Sequence, residues 1–203
     1  RRERTPTQLA PVERPAVNTL RLIVNAQEAF HSKNRRYGTL ADLHNFIKLA
    51  HVAPAIHFSG GCMVEPMDVP EGKRHLDVQY AFFRYSDQGC EATPETPGHA
   101  ADAVRMAGIV FGDDFVKDNT VLTAVVNCNS PLVWDATMLD ALKVYASHNQ
   151  PCLLSPFALC GASTAASTIG AVAQVNAEAL AGLAFTVDML ASPVGRYVFG
   201  IEL

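Results

Sequence analysis

The chain has 203 residues, 49% of them hydrophobic, and a formal net charge of −4, enough apolar material for one sizeable core in a single globular domain. The basic residues that cluster, Arg1, Arg2 and Arg4 and then Lys33, Arg35 and Arg36, lie among Pro, Thr, Ser and Asn and not on a basic face interleaved with aromatics, which argues against a nucleic-acid partner. The five cysteines (Cys62, Cys90, Cys128, Cys152, Cys160) are odd in number and form no C-x-x-C pair, so a disulfide scaffold or structural zinc site is not expected, and a reducing cytoplasm is the expected home.

The opening Arg-Arg-Glu-Arg-Thr-Pro run is followed by no apolar core, so no secretory signal is expected, and residues 1–15, with Pro6, Pro11 and Pro15, read as a loose arm. Leu20, Ile23, Val24 and Phe30 recur near helical spacing and predict an amphipathic helix over 17–30. Thr39 with Asp42 three residues on is an N-terminal signature for a helix through Phe46, Ile47 and Leu49, which must stop near Pro54. Ala55-Ile56-His57-Phe58 then reads as a short buried strand ending at Ser59-Gly60-Gly61. Helices follow from about Lys73 to Tyr85 and from Ala100 to Val110, the second closing at Gly112.

Val121 to Val126 is β-branched and apolar without alternation, the pattern of a parallel strand buried on both faces, with polar Asn127-Cys128-Asn129-Ser130 at its C-terminal end. Asp135 and Thr137 are caps for a helix from Met138 to Ala146. Cys152-Leu153-Leu154 is the next strand, ending at Ser155-Pro156-Phe157, and a helix over 162–184 follows. The long apolar stretch from Ala158 to Phe185 is interrupted by Ser163, Thr164, Gln174, Asn176 and Glu178, and so predicts a buried helix and no membrane span. Tyr197 to Ile201 reads as a final strand. Strands alternating with helices predict an α/β fold with a parallel sheet. A closed (β/α) barrel needs eight such units and commonly about 250 residues, so the expected architecture is a partial TIM-type barrel or an open sheet.

Several stretches carry a resemblance in continuous order over about residues 37–186. They include Tyr37-Gly38-Thr39-Leu40-Ala41-Asp42-Leu43, Ile56-His57-Phe58-Ser59-Gly60-Gly61, Glu65-Pro66-Met67-Asp68-Val69-Pro70, Arg74-His75-Leu76 and Ile109-Val110-Phe111-Gly112. Asn127-Cys128-Asn129-Ser130-Pro131-Leu132-Val133-Trp134-Asp135, Ser155-Pro156-Phe157 and Ala177-Glu178-Ala179-Leu180-Ala181-Gly182 continue the series. Together they resemble the N-terminal half of the corrinoid-dependent trimethylamine/glycine betaine methyltransferase family. The resemblance implies a partial methyltransferase barrel over 37–203, with an N-terminal arm and helix over 1–36 outside it. It also implies transfer of a methyl group from a methylated amine, trimethylamine or a quaternary amine such as glycine betaine, to the cobalt of a corrinoid (cobalamin) held on a partner protein. The chain departs from the family pattern at Cys90–Glu95, Ser163–Ala166 and Val187–Ser192. The pyrrolysine of trimethylamine-using members belongs to the family's C-terminal half, and no catalytic residue is assigned here. Phe30 to Leu43 also resembles the segment after the long helix of pilin-like proteins.

In a barrel the reactive groups belong at the C-terminal ends of strands, where the loops converge. His57, Asn127, Asn129, Ser130, Ser155 and Phe157 fall there and form the expected substrate site. The Asn and Ser side chains could orient a substrate carboxylate, or they could cap the following turn. His57 could exchange a proton, or be a satisfied core histidine. A methylated ammonium spreads its charge and favours aromatic faces, for which Phe58, Phe157, Trp134 and Tyr197 are available. Asp42-Leu43-His44-Asn45-Phe46-Ile47 begins an Asp-x-His-x-x-Gly corrinoid motif but has Ile where Gly is needed, so no cofactor is expected on the chain itself. A zinc site built from Cys62, Cys128, Cys160 and His57 has no supporting spacing. The other expectation is a non-catalytic fragment or assembly module, burying its open edges against another copy as a homo-oligomer or against a partner.

Overall fold

A computed structural model of the chain describes residues 38–54, 56, 64–92, 95–190 and 198–199. The expected helix over 17–30, the body of the expected strand at 55–58 and the ends of the expected strand at 197–201 lie outside these residues. The described elements begin with helix α1 (Leu40–Val52), started by the Thr39 and Asp42 pair: Thr39 Oγ1 accepts from the Asp42 amide at 3.3 Å, and the Thr39 amide donates to Asp42 Oδ2 at 2.9 Å. It buries Leu43, Ile47 and Ala50, and it stops at Ala53, just before Pro54. Helix α2 (Glu71–Tyr85) packs beside it through Val78, Ala81 and Phe82.

Strand β1 (Cys90–Ala92) follows, where the sequence predicts no strand. Three residues are too few to carry a periodic pattern. Their strand character comes from parallel pairing with Leu122, Thr123 and Ala124. Helix α3 (Pro97–Phe111) starts earlier than expected because Thr96 caps it and Pro97 fills its first position, and it ends at Gly112, whose φ of 93° admits glycine readily. The rings of His75 on α2 and His99 on α3 stack at 3.8 Å, with Asp102 3.0 Å from His75 Nε2. A short helix, α4 (Asp113–Asp118), was not predicted.

Strand β2 (Leu122–Asn129) extends through the polar stretch expected to follow it. Its burial alternates instead of being continuous: Leu122, Ala124, Val126 and Cys128 are buried, while Asn127 and Asn129 are exposed. The polar residues do not end the strand because they occupy its less covered face. A two-residue strand, β3 (Val133–Trp134), folds back antiparallel on β2, and Asp135 then caps helix α5 (Ala136–Ser147) by accepting from the Met138 amide at 2.9 Å. Strand β4 (Cys152–Phe157) pairs parallel with β2 from Ala124↔Cys152 to Asn129↔Phe157. Helix α6 (Thr168–Leu190) begins later than predicted because residues 159–164 form a tight turn, in which the Leu159 carbonyl accepts from the amides of Ala162, Ser163 and Thr164. Strand β5 (Val198–Phe199) is parallel to β4.

The sheet order is β1-β2-β4-β5, all parallel, with β3 appended to β2. This is a mixed α/β architecture, and among the described residues the sheet is open and not closed into a barrel. Leu122, Ala124, Val126, Cys152 and Leu154 share one core with Ala141, Leu142 and Tyr145 of α5 and with the buried faces of α1, α2 and α3. At the N-terminal end of β2, buried Gln150 acts as a clamp. Its Oε1 accepts from the amides of Val121 and Leu122 at 3.0 Å each, and its Nε2 donates to the carbonyls of Val116, Asn119 and His148. Helix α6 has the length and apolar content of a membrane span over Thr168–Val187. Ala171, Val175, Glu178 and Ala179 are nevertheless buried within the fold, while Ile169 and Leu180 are exposed.

Candidate functional site

Parallel pairing fixes which side chains of β2 and β4 share a face. Asn127 stands opposite Ser155 and Asn129 opposite Phe157, on strands about 4.8 Å apart. The even alternation puts all four on the face away from Leu122, Ala124, Val126 and Leu154, at the C-terminal ends of the two strands. Ser155 lies deepest at 8% exposure, and Phe157 stands out at 60%. Two amides, a hydroxyl and an aromatic ring therefore converge on one open patch. The side chains of Asn127 and Asn129 make no hydrogen bond to other described residues, so turn capping is not their occupation.

Ser130 belongs to the same turn but points elsewhere. Its amide donates to the Phe157 carbonyl at 3.2 Å, and its hydroxyl donates to Glu178 Oε2 at 2.6 Å. Glu178 comes from α6 and is 1% exposed, with Oε1 accepting from Gln174 Nε2 at 2.9 Å. Cys128 Sγ is 3.9 Å from Glu178 Oε2. Burial, followed by the Glu178 charge and its hydrogen bond, pushes the Cys128 thiol up to about 11. The expected site thus divides, with Asn127, Asn129, Ser155 and Phe157 on the open face and Ser130 tied to a buried carboxylate behind it. His57 lies outside the described residues.

Sequence reading treated Glu178 as an interruption in an apolar stretch and as part of the resemblance, with no place in the site. The available signal was an acid at the heart of a small-residue helix, which must find donors to be buried. Gln174, one turn earlier, supplies one of them.

Of the aromatic candidates, Phe58 and Tyr197 lie outside the described residues. Trp134 packs against α6 at Gly182. A Cβ added at Gly182 would lie 2.6 Å from the indole Cη2 and 3.2 Å from Leu154 Cδ1. Phe157 is left as the exposed ring on the open face.

Within the partial corrinoid motif, Asp42 is the capping acid of α1, and Leu43 and Ile47 are fully buried in the core. Among the described residues no group of three His, Cys, Asp or Glu is placed to hold a metal ion. Cys128 is buried and Cys160 is exposed, while Cys62 lies outside the described residues.

Comparison with known proteins matches residues 28–200 to the trimethylamine methyltransferase (MTTB) family, extending beyond the expected 37–186 at both ends. A glycine betaine methyltransferase of Desulfitobacterium hafniense (strain Y51) is 39% identical over 151 residues, which are 74% of this chain and 32% of that protein. The chain therefore spans about a third of that relative's length. A family match running through all of the described fold, including both strands of the open patch, places this chain in the trimethylamine methyltransferase family.

Proposed function

We propose that this chain forms part of a methyltransferase that moves a methyl group from a methylated amine, such as trimethylamine or glycine betaine, to a corrinoid-carrying partner protein. The observation that carries this reading is the grouping of Asn127, Asn129, Ser155 and Phe157 at the C-terminal ends of adjacent parallel strands. Sequential parallel strands with their core helices packed on one face are the arrangement of a segment of a (β/α) barrel, in which the other face would line the interior.

The chemistry of that face suits the substrate class. Phe157 offers a ring to a spread ammonium charge, an attraction of about 0.5–2 kcal/mol depending on desolvation. The amides of Asn127 and Asn129 can donate to a carboxylate such as that of glycine betaine, and Ser155, deeper in the sheet, can fix one of its oxygens. A corrinoid on the partner would supply the nucleophile for the methyl carbon. This chain's residues would bind the amine, orient it and keep water from the reacting face.

The direct test is methyl transfer from glycine betaine or trimethylamine to a reduced corrinoid protein. It is run with the chain alone and with the part of the longer relative that the chain does not span. Methylation of cobalt in either condition supports the reading, and none in both overturns it. A second reading, a non-catalytic or assembly module, draws on the exposed apolar residues beside the patch, Leu132 and Val133 at 58% each and Phe157 at 60%. Sedimentation separates the two: self-association without methyl transfer favours the module.

A further inference from the structure

Two connections frame the open face at its C-terminal end, the turn after β2 at Ser130 and the loop between β4 and α6. One buried carboxylate is bonded directly to the first and, through Gln174, to the second. Glu178 Oε2 accepts from Ser130 Oγ at 2.6 Å, and its Oε1 accepts from Gln174 Nε2 at 2.9 Å. The same Gln174 amide donates to the Ser163 carbonyl at 3.2 Å. Ser163 in turn accepts the Leu159 amide on its hydroxyl at 2.9 Å, within the tight turn that delays the start of α6.

Ser130 is the pivot on the other side. Its amide is bonded to the Phe157 carbonyl, and it directly follows Asn129, so any movement of Ser130 moves two members of the open patch. From this we infer that Glu178 is a positioning residue of the substrate site: one carboxylate locks the Ser130 turn and the 159–164 turn in register with each other. The inference rests on the proposed use of the open face as a substrate site.

The physical case has two parts. The Ser130 hydroxyl makes a short contact to the carboxyl oxygen, 2.6 Å, which holds the turn closely to α6. Packing alone would be served as well by an apolar side chain of similar volume, which would need no donors, so the acid at this depth has an occupation beyond filling space.

Amide hydrogen exchange on the full chain tests this without substrate. In Glu178→Ala, exchange at both 128–132 and 159–164 should quicken on the order of tenfold, from loss of the bonds to Ser130 and Gln174. Ser130→Ala should loosen only the first segment and Gln174→Ala only the second. Glu178→Gln, which keeps the shape and can still bond both sides, should change far less than Glu178→Ala. Uniform acceleration through α1 and α2 as well, or an unmoved 159–164 turn in Glu178→Ala, overturns the inference. A glycine betaine titration distinguishes it from the reading beneath it. Affinity about tenfold weaker in Glu178→Ala and largely kept in Glu178→Gln supports positioning. No binding by the wild-type chain counts against the substrate assignment and leaves the exchange pattern to decide the role of Glu178.

Discussion

The two faces of the sheet carry residues from the same strands and have opposite characters. On one, Leu122, Ala124, Val126 and Cys128 of β2 are sealed beneath helices, and Cys90, Ala92, Cys152 and Leu154 continue the same layer. On the other, Asn127, Asn129 and Phe157 are exposed, and Ser155 is set between them. Side chains one position apart in sequence thus serve different ends, because strand pleating sends neighbours to opposite sides. The covered face holds the fold together. The open face is left to be chosen by chemistry.

Alkali should break the covered face most completely. Burial raises the thiols of Cys90 and Cys152 to about 12 and that of Cys128 to about 11, against an ordinary value of 9.0. Because the folded values lie above the unfolded one, the protonated thiols contribute their full stability below pH 9 and lose it as pH rises through 11 to 12. Circular dichroism over that range should show cooperative unfolding. A far-ultraviolet signal unchanged at pH 12 would contradict the burial of these thiols.

Next in size is Leu142→Ala, which opens a cavity under β2 and should lower stability by about 2–5 kcal/mol in urea unfolding. Gly182→Ala adds a methyl group where the Trp134 indole sits and should lower stability by about 1–3 kcal/mol, with a shift in tryptophan fluorescence. The smallest stability effects belong to the open face. Asn127→Ala and Asn129→Ala should each stay within about 0.5 kcal/mol of wild type while weakening glycine betaine binding. A large loss of stability at either asparagine would erase the contrast between the faces.

What the sequence disclosed follows the same contrast between local and distant causes. The Thr39 and Asp135 caps and the Gly112 stop were legible because each depends on residues within a turn of itself. Strand β1 was not, since Cys90–Ala92 becomes a strand only by pairing with Leu122–Ala124. The late start of α6 was hidden because the alanines at 162, 165 and 166 favour helix locally, while the turn gathered on the Leu159 carbonyl takes the segment instead. Asn127 and Asn129 could be read as lying at a strand end, and Ser155 and Phe157 beside them. That Ser130 belongs with Glu178 could not be read, because the two are 48 residues apart and no local pattern joins them.

The close fit of Gly182 under Trp134 bears on inheritance as well as on packing. While the indole is kept, any side chain at position 182 forces the indole or its neighbours to shift, so replacements there should be disfavoured. A lineage that first exchanged Trp134 for a smaller residue would free position 182 to vary and would then lose the way back, since restoring the indole would strike the new side chain. The two positions should therefore drift as a pair in descendants of this chain, and the order of the changes would be written in which of them moved first.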